Sequence, residues 1–193
     1  MKPFVVGFMG YAGVGKTTAA NAYRSIAPEN IAVNSFATPL KQAVKDLFLL
    51  SDEQVYGDFT KKTTVDERWG KSPRQLLQII GTDCLREMID RKFHVKRMAA
   101  WLQSCDKSVV IIDDIRFEDE AELVNRYGKC FNIRRPDFPK EDVRHASEYP
   151  PEHLASGYYI YNQGETLKEY TRQLLQPNNF ILNLIQEKLN ATR

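Results

Sequence analysis

Two rhythms of apolar residues alternate along the chain. Compact apolar runs at 4–9, 31–36, 109–115, 130–134 and 158–161 are rich in β-branched and aromatic residues and read as strands. Between and after them, apolar positions recur every three or four residues over about 16–26, 38–49, 73–90, 92–104, 117–127, 165–175 and 178–190, the spacing of helices with one buried face. Strands that alternate with helices of this length predict an α/β fold, a parallel sheet covered on both faces. Two intervals break the pattern. Residues 51–71 are polar and charged, and 136–151 are rich in proline and charge. Both are expected to be mobile insertions in a single domain spanning 1–193, since no repeat or low-complexity linker divides the sequence.

The first strand runs into Gly10-Tyr11-Ala12-Gly13-Val14-Gly15-Lys16-Thr17, which satisfies G-x-x-x-x-G-K-[ST] at every fixed position. Glycines let successive backbone N–H groups turn inward around phosphate oxygens, and the helix that follows adds the positive end of its dipole. On this reading Gly13, Val14, Gly15, Lys16, Thr17 and Thr18 bind the phosphates of a nucleoside triphosphate. Lys16 reaches the outer phosphates, and the Thr17 hydroxyl ligates Mg²⁺.

Composition narrows the surroundings. The net charge of +2 is too small to argue for nucleic-acid binding. Cys84, Cys105 and Cys130 show no metal-ligand spacing and read as reduced, small apolar residues. No apolar stretch approaches the roughly 20 residues needed to span a bilayer, and the phosphate-loop strand begins too early to leave room for a cleaved signal peptide. The expected compartment is the cytoplasm.

The absence of Asn-Lys-x-Asp argues against a GTPase. The length suits a small-molecule kinase better than a motor or helicase. Strand ends bear on the acceptor, because ligands of open α/β sheets sit beyond the carboxyl ends of the strands. Lys41 follows the second strand, Arg116 the third, and Arg134-Arg135 the fourth. Cations converging on one rim favour an acceptor that already bears a phosphate, an anionic nucleophile that needs no protein base. Asp113 and Asp114 end the apolar run Val109-Val110-Ile111-Ile112 in the manner of a Walker B strand, whose acid orients Mg²⁺. Successive strand residues point to opposite faces, so one of the two is expected to face the nucleotide; the other reading is that both merely cap the strand and the next helix. A helix over 73–90 places Arg74, Gln78, Thr82 and Arg86 at four-residue steps along one face, either a solvated stripe or a surface for an anionic ligand. Tyr56 and Trp69 are candidates to stack on a base.

Several ordered segments resemble phage-type deoxynucleoside monophosphate kinases. Ser72-Pro73-Arg74-Gln75-Leu76-Leu77-Gln78-Ile79-Ile80-Gly81-Thr82 with Arg86 is similar to their Pro-Arg-x-x-Leu-Gln-x-x-Gly-Thr pattern and following Arg. Asp114-Ile115-Arg116-Phe117-x-x-Glu120-Ala121 resembles their Asp-x-Arg-Phe-x-x-Glu-Ala segment. Ser35-Phe36-Ala37-x-Pro39-Leu40-Lys41, Arg135-Pro136, His145-Ala146-Ser147-Glu148 and Asn162-x-Gly164 resemble other segments of the family, in the same order. Segment 51–71 has no counterpart in the pattern.

The resemblance implies a P-loop nucleoside monophosphate kinase fold, with five parallel strands and the phosphate-loop strand central. It implies Mg²⁺-dependent transfer from ATP to a deoxynucleoside monophosphate. Lys16, Arg116, Arg135 and Asp114 would be catalytic, with Thr17 and Asp114 at the metal. Lys41, Arg74, Gln78, Thr82, Arg86, His145 and Glu148 would bind the acceptor. Its partners would be small molecules, neither nucleic acid nor membrane, and a homodimer is compatible with it. The rival readings are a kinase of another phosphorylated metabolite, such as phosphomevalonate, and a non-catalytic ATP-binding regulator.

Overall fold

A computed structural model describes residues 2–136, 151–155, 157–164 and 166–191. The chain forms two compact units, one of residues 1–35 with 98–193 and one of residues 36–97.

The first unit holds a five-stranded sheet. Its strands are β1 (Phe4–Met9), β2 (Ile31–Asn34), β3 (Val109–Ile115), β4 (Gly128–Arg134) and β5 (Tyr159–Tyr161), in the order β2-β3-β1-β4-β5. Every neighbouring pair is parallel, and the phosphate-loop strand is central, as expected. Helices α1 (Lys16–Arg24), α8 (Leu167–Leu174) and α9 (Phe180–Asn190) contribute Ala19, Ala20, Tyr23, Tyr170, Leu174 and Ile185 to one core. The same core takes Val6 and Phe8 of β1, Val109 and Ile111 of β3, and Phe131 and Ile133 of β4. Burial of this size is the main stabilising term of the unit. Gly7 points to the opposite face, where a Cβ would collide with Ile115 and Val124. Val124 lies on α7 (Glu118–Tyr127). Cys130 packs there too, its thiol donating to the Ala121 carbonyl, and burial pushes its pKa up to about 12. Cys130 is thus a free, buried thiol, in keeping with its reading as a reduced, small apolar residue.

The β1–β3 ladder contains a bulge. Gly7 pairs with Ile112 and Met9 with Ile115, so Asp113 and Asp114 together oppose Phe8. Val109 and Ile111 pack toward α1, α8 and α9, whereas Ile115 lies beside Gly7 and Val124 on the other face. Odd-numbered residues thus change face across the aspartates.

In the second unit, α2 (Thr38–Leu47), α3 (Asp52–Tyr56), α4 (Phe59–Thr63) and α5 (Pro73–Gln78) surround a small core of Val44, Leu50, Val55 and Leu76, flanked by Leu40, Phe48, Leu77 and Ile80. Segment 51–71, expected to be irregular, instead carries α3 and α4. Ser51 and Gln54 form a capping box for α3, and the Asp58 carboxylate caps α4. The helix expected over 73–90 changes gauge at Ile79 and continues as a π-helix over Ile79–Ile89. A π turn takes more residues than the about 3.6 of an α turn. A four-residue step therefore overshoots a full turn in α5 and falls short of one beyond Ile79, which keeps Arg74, Gln78, Thr82 and Arg86 closer to one line than a uniform α-helix would. His94, in the first turn of α6 (Phe93–Ser104), donates its Nε2–H to the Gly81 carbonyl at 2.9 Å.

Asp66 clamps the turn that closes 51–71. Its carboxylate accepts from the Arg68 guanidinium at 2.6 Å and from the Gln54 amide at 3.0 Å, while its backbone bridges Lys71. The Arg68 hydrogen bonds, and then that of Gln54, hold the Asp66 carboxyl well below the usual carboxylate range. A depressed folded-state pKa stabilises above the unfolded value, about 3.9, and the benefit is lost as pH falls through the folded value. Asp66→Asn is therefore expected to lower hydrogen-exchange protection of 51–71 at pH 7, with the difference from wild type narrowing below pH about 4. Equal protection of the two proteins at pH 7 would remove Asp66 as the clamp.

Candidate functional site

All five strands run parallel, so the segments after β1, β2, β3, β4 and β5 leave the sheet at one edge. The phosphate loop leaves β1 there. Gly10 and Gly15 take φ values of 140° and 104°, which side chains rarely adopt. A Cβ at Gly15 would also stand 2.7 Å from the Tyr170 ring and 3.0 Å from the Asn162 amide. Gly13 has φ 79°, and Val14 is buried in the core beneath the loop. Lys16 opens α1, and its ammonium donates to the carbonyls of Gly10 at 2.8 Å and Tyr11 at 2.7 Å. Asn162 holds the loop from the side: its amide donates to the Val14 carbonyl at 3.1 Å, and its own carbonyl accepts the Gly164 N–H at 3.2 Å.

Asp113 reaches this loop. Thr17 Oγ1 donates to Asp113 Oδ2 at 2.6 Å, and Ser35 Oγ donates to Asp113 Oδ1 at 2.6 Å. The sequence left open which of the two aspartates faces the nucleotide, and the family pattern pointed to Asp114. The bulge sets both aspartates against Phe8 and spoils any assignment of faces by alternation, and it is Asp113 that bonds Thr17. Each oxygen of Asp113 receives a charge-assisted bond from a hydroxyl. With its proton committed to Asp113, Thr17 Oγ1 keeps its lone pairs for a cation. Among the described residues no three His, Cys, Asp or Glu side chains are gathered as a cation site. A Thr hydroxyl and one carboxylate suit Mg²⁺, which is ordinarily held by one or two carboxylates together with substrate phosphates.

Arg116 stands exposed one residue beyond β3. Its backbone is fixed by Glu120, a buried carboxylate that accepts the N–H of Arg116 at 2.9 Å and of Phe117 at 3.2 Å. Arg135 lies half-buried just past β4, beside Arg134, whose guanidinium stacks 4.2 Å over the Tyr159 ring. His145 and Glu148 lie outside the described residues, as does nearly all of the expected 136–151 insertion.

The second unit gathers most of the proposed acceptor residues. Lys41 of α2 sits 5.8 Å over the Tyr56 ring, and Arg74 of α5 sits 5.3 Å over the Phe59 ring. Gln78 ends α5, Thr82 is half-buried in the π-helix, and Arg86 is buried. Trp69 is exposed but anchored to the end of α2. Its indole N–H donates to the Phe48 carbonyl at 2.9 Å, and its ring meets Phe48 edge-on at 5.3 Å. Sequence reasoning did not assign roles to Ser35 or Asn162, although both stand in segments that it had singled out; a small polar residue just past a strand end was the available signal. No helix among the described residues is long and apolar enough to cross a membrane.

A family model described as deoxynucleotide monophosphate kinase matches residues 58–173. A protein of Acanthamoeba polyphaga mimivirus, named as a deoxynucleotide monophosphate kinase, is 35% identical over 184 residues, covering 89% of this chain and 94% of its own length. Among solved structures, a dephospho-CoA kinase from Campylobacter jejuni is 16% identical with a TM-score of 0.48 over 98% of both chains. A shikimate kinase from Bacteroides thetaiotaomicron is 16% identical with a TM-score of 0.43, covering 89% of this chain and 96% of its own. The family match spans more than half of the chain and takes in the Arg74, Gln78, Thr82 and Arg86 stripe together with the Asp114–Arg116 strand end. The chain belongs to the deoxynucleotide monophosphate kinase family.

Proposed function

We propose that the protein transfers the outer phosphoryl group of ATP to a deoxynucleoside 5′-monophosphate in the presence of Mg²⁺, giving ADP and the diphosphate. The observation that carries this reading is the phosphate loop of the first unit, with Lys16 at its helix end and Thr17 held by Asp113, in a chain of this family. Backbone amides from Gly13 to Thr18 receive the donor phosphates, and Lys16 exchanges its two carbonyl partners for phosphate oxygens. Thr17 and Asp113 are the residues that would hold Mg²⁺, which would supply positive charge to offset that of the donor phosphates. Arg116 and Arg135 neutralise charge on the transferring group. A monophosphate is its own anionic nucleophile, so none of these side chains has to remove a proton. In the second unit Arg74 and Arg86 anchor the acceptor, with Lys41, Gln78 and Thr82 beside them.

Arg74→Ala tests the acceptor half. A charge-assisted hydrogen bond is worth roughly 1.5–3 kcal/mol, about one to two powers of ten in binding. KM for the monophosphate is expected to rise by that factor while KM for ATP stays near wild type, in a coupled assay across the four deoxynucleoside monophosphates. Equal rises for both substrates would make the helix a structural element rather than an acceptor site.

A further inference from the structure

The short helix α4 brings a third cation to the pair already described. Phe59 and Lys62 are three residues apart on α4 and share a face. The Phe59 ring carries the Arg74 guanidinium at 5.3 Å, so the same face directs Lys62 toward Arg74. Lys41, over the Tyr56 ring of α3, is the third member: the charges of Lys41 and Arg74 both act on Lys62. Burial first, and then these two neighbours, hold the Lys62 ammonium below the ordinary lysine range. Among the described residues no carboxylate forms an ion pair with Lys62. Asp58 is the acid that acts on it, and one oxygen of Asp58 already caps α4 through the Lys61 N–H at 2.9 Å. Lys61, next along the helix, has a different environment: it is exposed and pairs with Glu53 at 3.9 Å. Three helices thus set three like charges side by side, two of them over aromatic rings, in a partly buried place where their mutual repulsion is screened less than at the surface. A dianionic phosphate relieves that repulsion.

We infer that Lys62, carried by the 51–71 segment, forms with Lys41 and Arg74 the receptor for the acceptor's 5′-phosphate, a phosphate monoester dianion. This rests on the reading of the second unit as the acceptor-binding unit. The segment thereby contributes to binding, because it brings Lys62 to the cluster and sets Tyr56 and Phe59 under the other two cations.

The test uses the full chain with Lys62→Met, which keeps the aliphatic stem and removes the charge, with Lys61→Met as the neighbouring control. Binding of a deoxynucleoside monophosphate is measured by equilibrium dialysis without ATP, and KM for each substrate in the coupled assay. Lys62→Met is expected to weaken monophosphate binding and raise its KM about 10- to 100-fold, with KM for ATP within about twofold. Lys62→Arg should restore most of the loss, and Lys61→Met should match wild type. If Lys61→Met weakens binding as much as Lys62→Met, or if Lys62→Met binds the monophosphate like wild type, the inference is overturned. Failure of the function proposal looks different. A wild-type protein that binds the monophosphate but does not phosphorylate it would sink the kinase reading, and loss of that binding in Lys62→Met would still uphold the receptor.

Discussion

Lys16→Ala is expected to lower kcat by about 10²–10³, the usual cost of removing one preorganised electrostatic contact from a transition state. The ammonium stands at the first residue of α1 and reaches back to the carbonyls of Gly10 and Tyr11. It is therefore already positioned over the loop that would cradle the outer phosphates, and needs little reorganisation to meet them. Alanine is the best helix former, and the two carbonyls lie on a half-exposed loop where water can replace the lysine. Circular dichroism and the thermal midpoint should stay near wild type. A variant that keeps more than half of wild-type kcat would remove Lys16 from the transfer step.

The second large effect separates the two aspartates. Asp113→Asn replaces a carboxylate that accepts from two hydroxyls by an amide that can accept on only one side, and it removes the negative charge beside Thr17. On the proposed function Asp113 orients the metal; loss of such a partner typically costs about 10- to 100-fold, so activity should fall by that factor, with a higher Mg²⁺ concentration needed for half-maximal rate. Asp114→Asn should leave the Mg²⁺ dependence where it is in wild type. A titration of activity against Mg²⁺ for the three proteins decides between them. A shift in Asp114→Asn with none in Asp113→Asn would return the metal role to Asp114.

Much of the first unit was legible because its signals are strong and local. The loop motif fixes the end of β1, and the apolar runs place all five strands to within about three residues at each end. The face of Asp113 was not legible, for a physical reason. Val109, Val110, Ile111 and Ile112 are all fully buried. A strand buried on both faces carries no polar–apolar alternation from which to set its phase, and an extra residue in it leaves no trace in the pattern. The second unit was harder still. Helices α3 and α4 have five residues each, too short for a periodic apolar stripe. Their readable marks were the capping residues Ser51, Gln54 and Asp58. The switch to π geometry at Ile79 depends on which carbonyl each N–H chooses, which residue spacing does not encode. Nothing in the sequence pattern marks out Lys62; α4 places it on the face of Phe59.

The bulge at Asp113–Asp114 also bears on how roles pass between relatives. Aligned on Asp-x-Arg-Phe, the chain offers Asp114 as the acid of the pattern; aligned on the hydroxyl that Thr17 presents, it offers Asp113. The two frames differ by one residue because the strand takes up one residue more than its partner at this point. A relative with a straight strand would need a gap here to be superimposed, and its single acid would correspond to both aspartates at once: one in sequence position, the other in the direction it faces. Homology at this strand end is therefore a property of the pair: sequence position points to one aspartate and the bond to Thr17 points to the other.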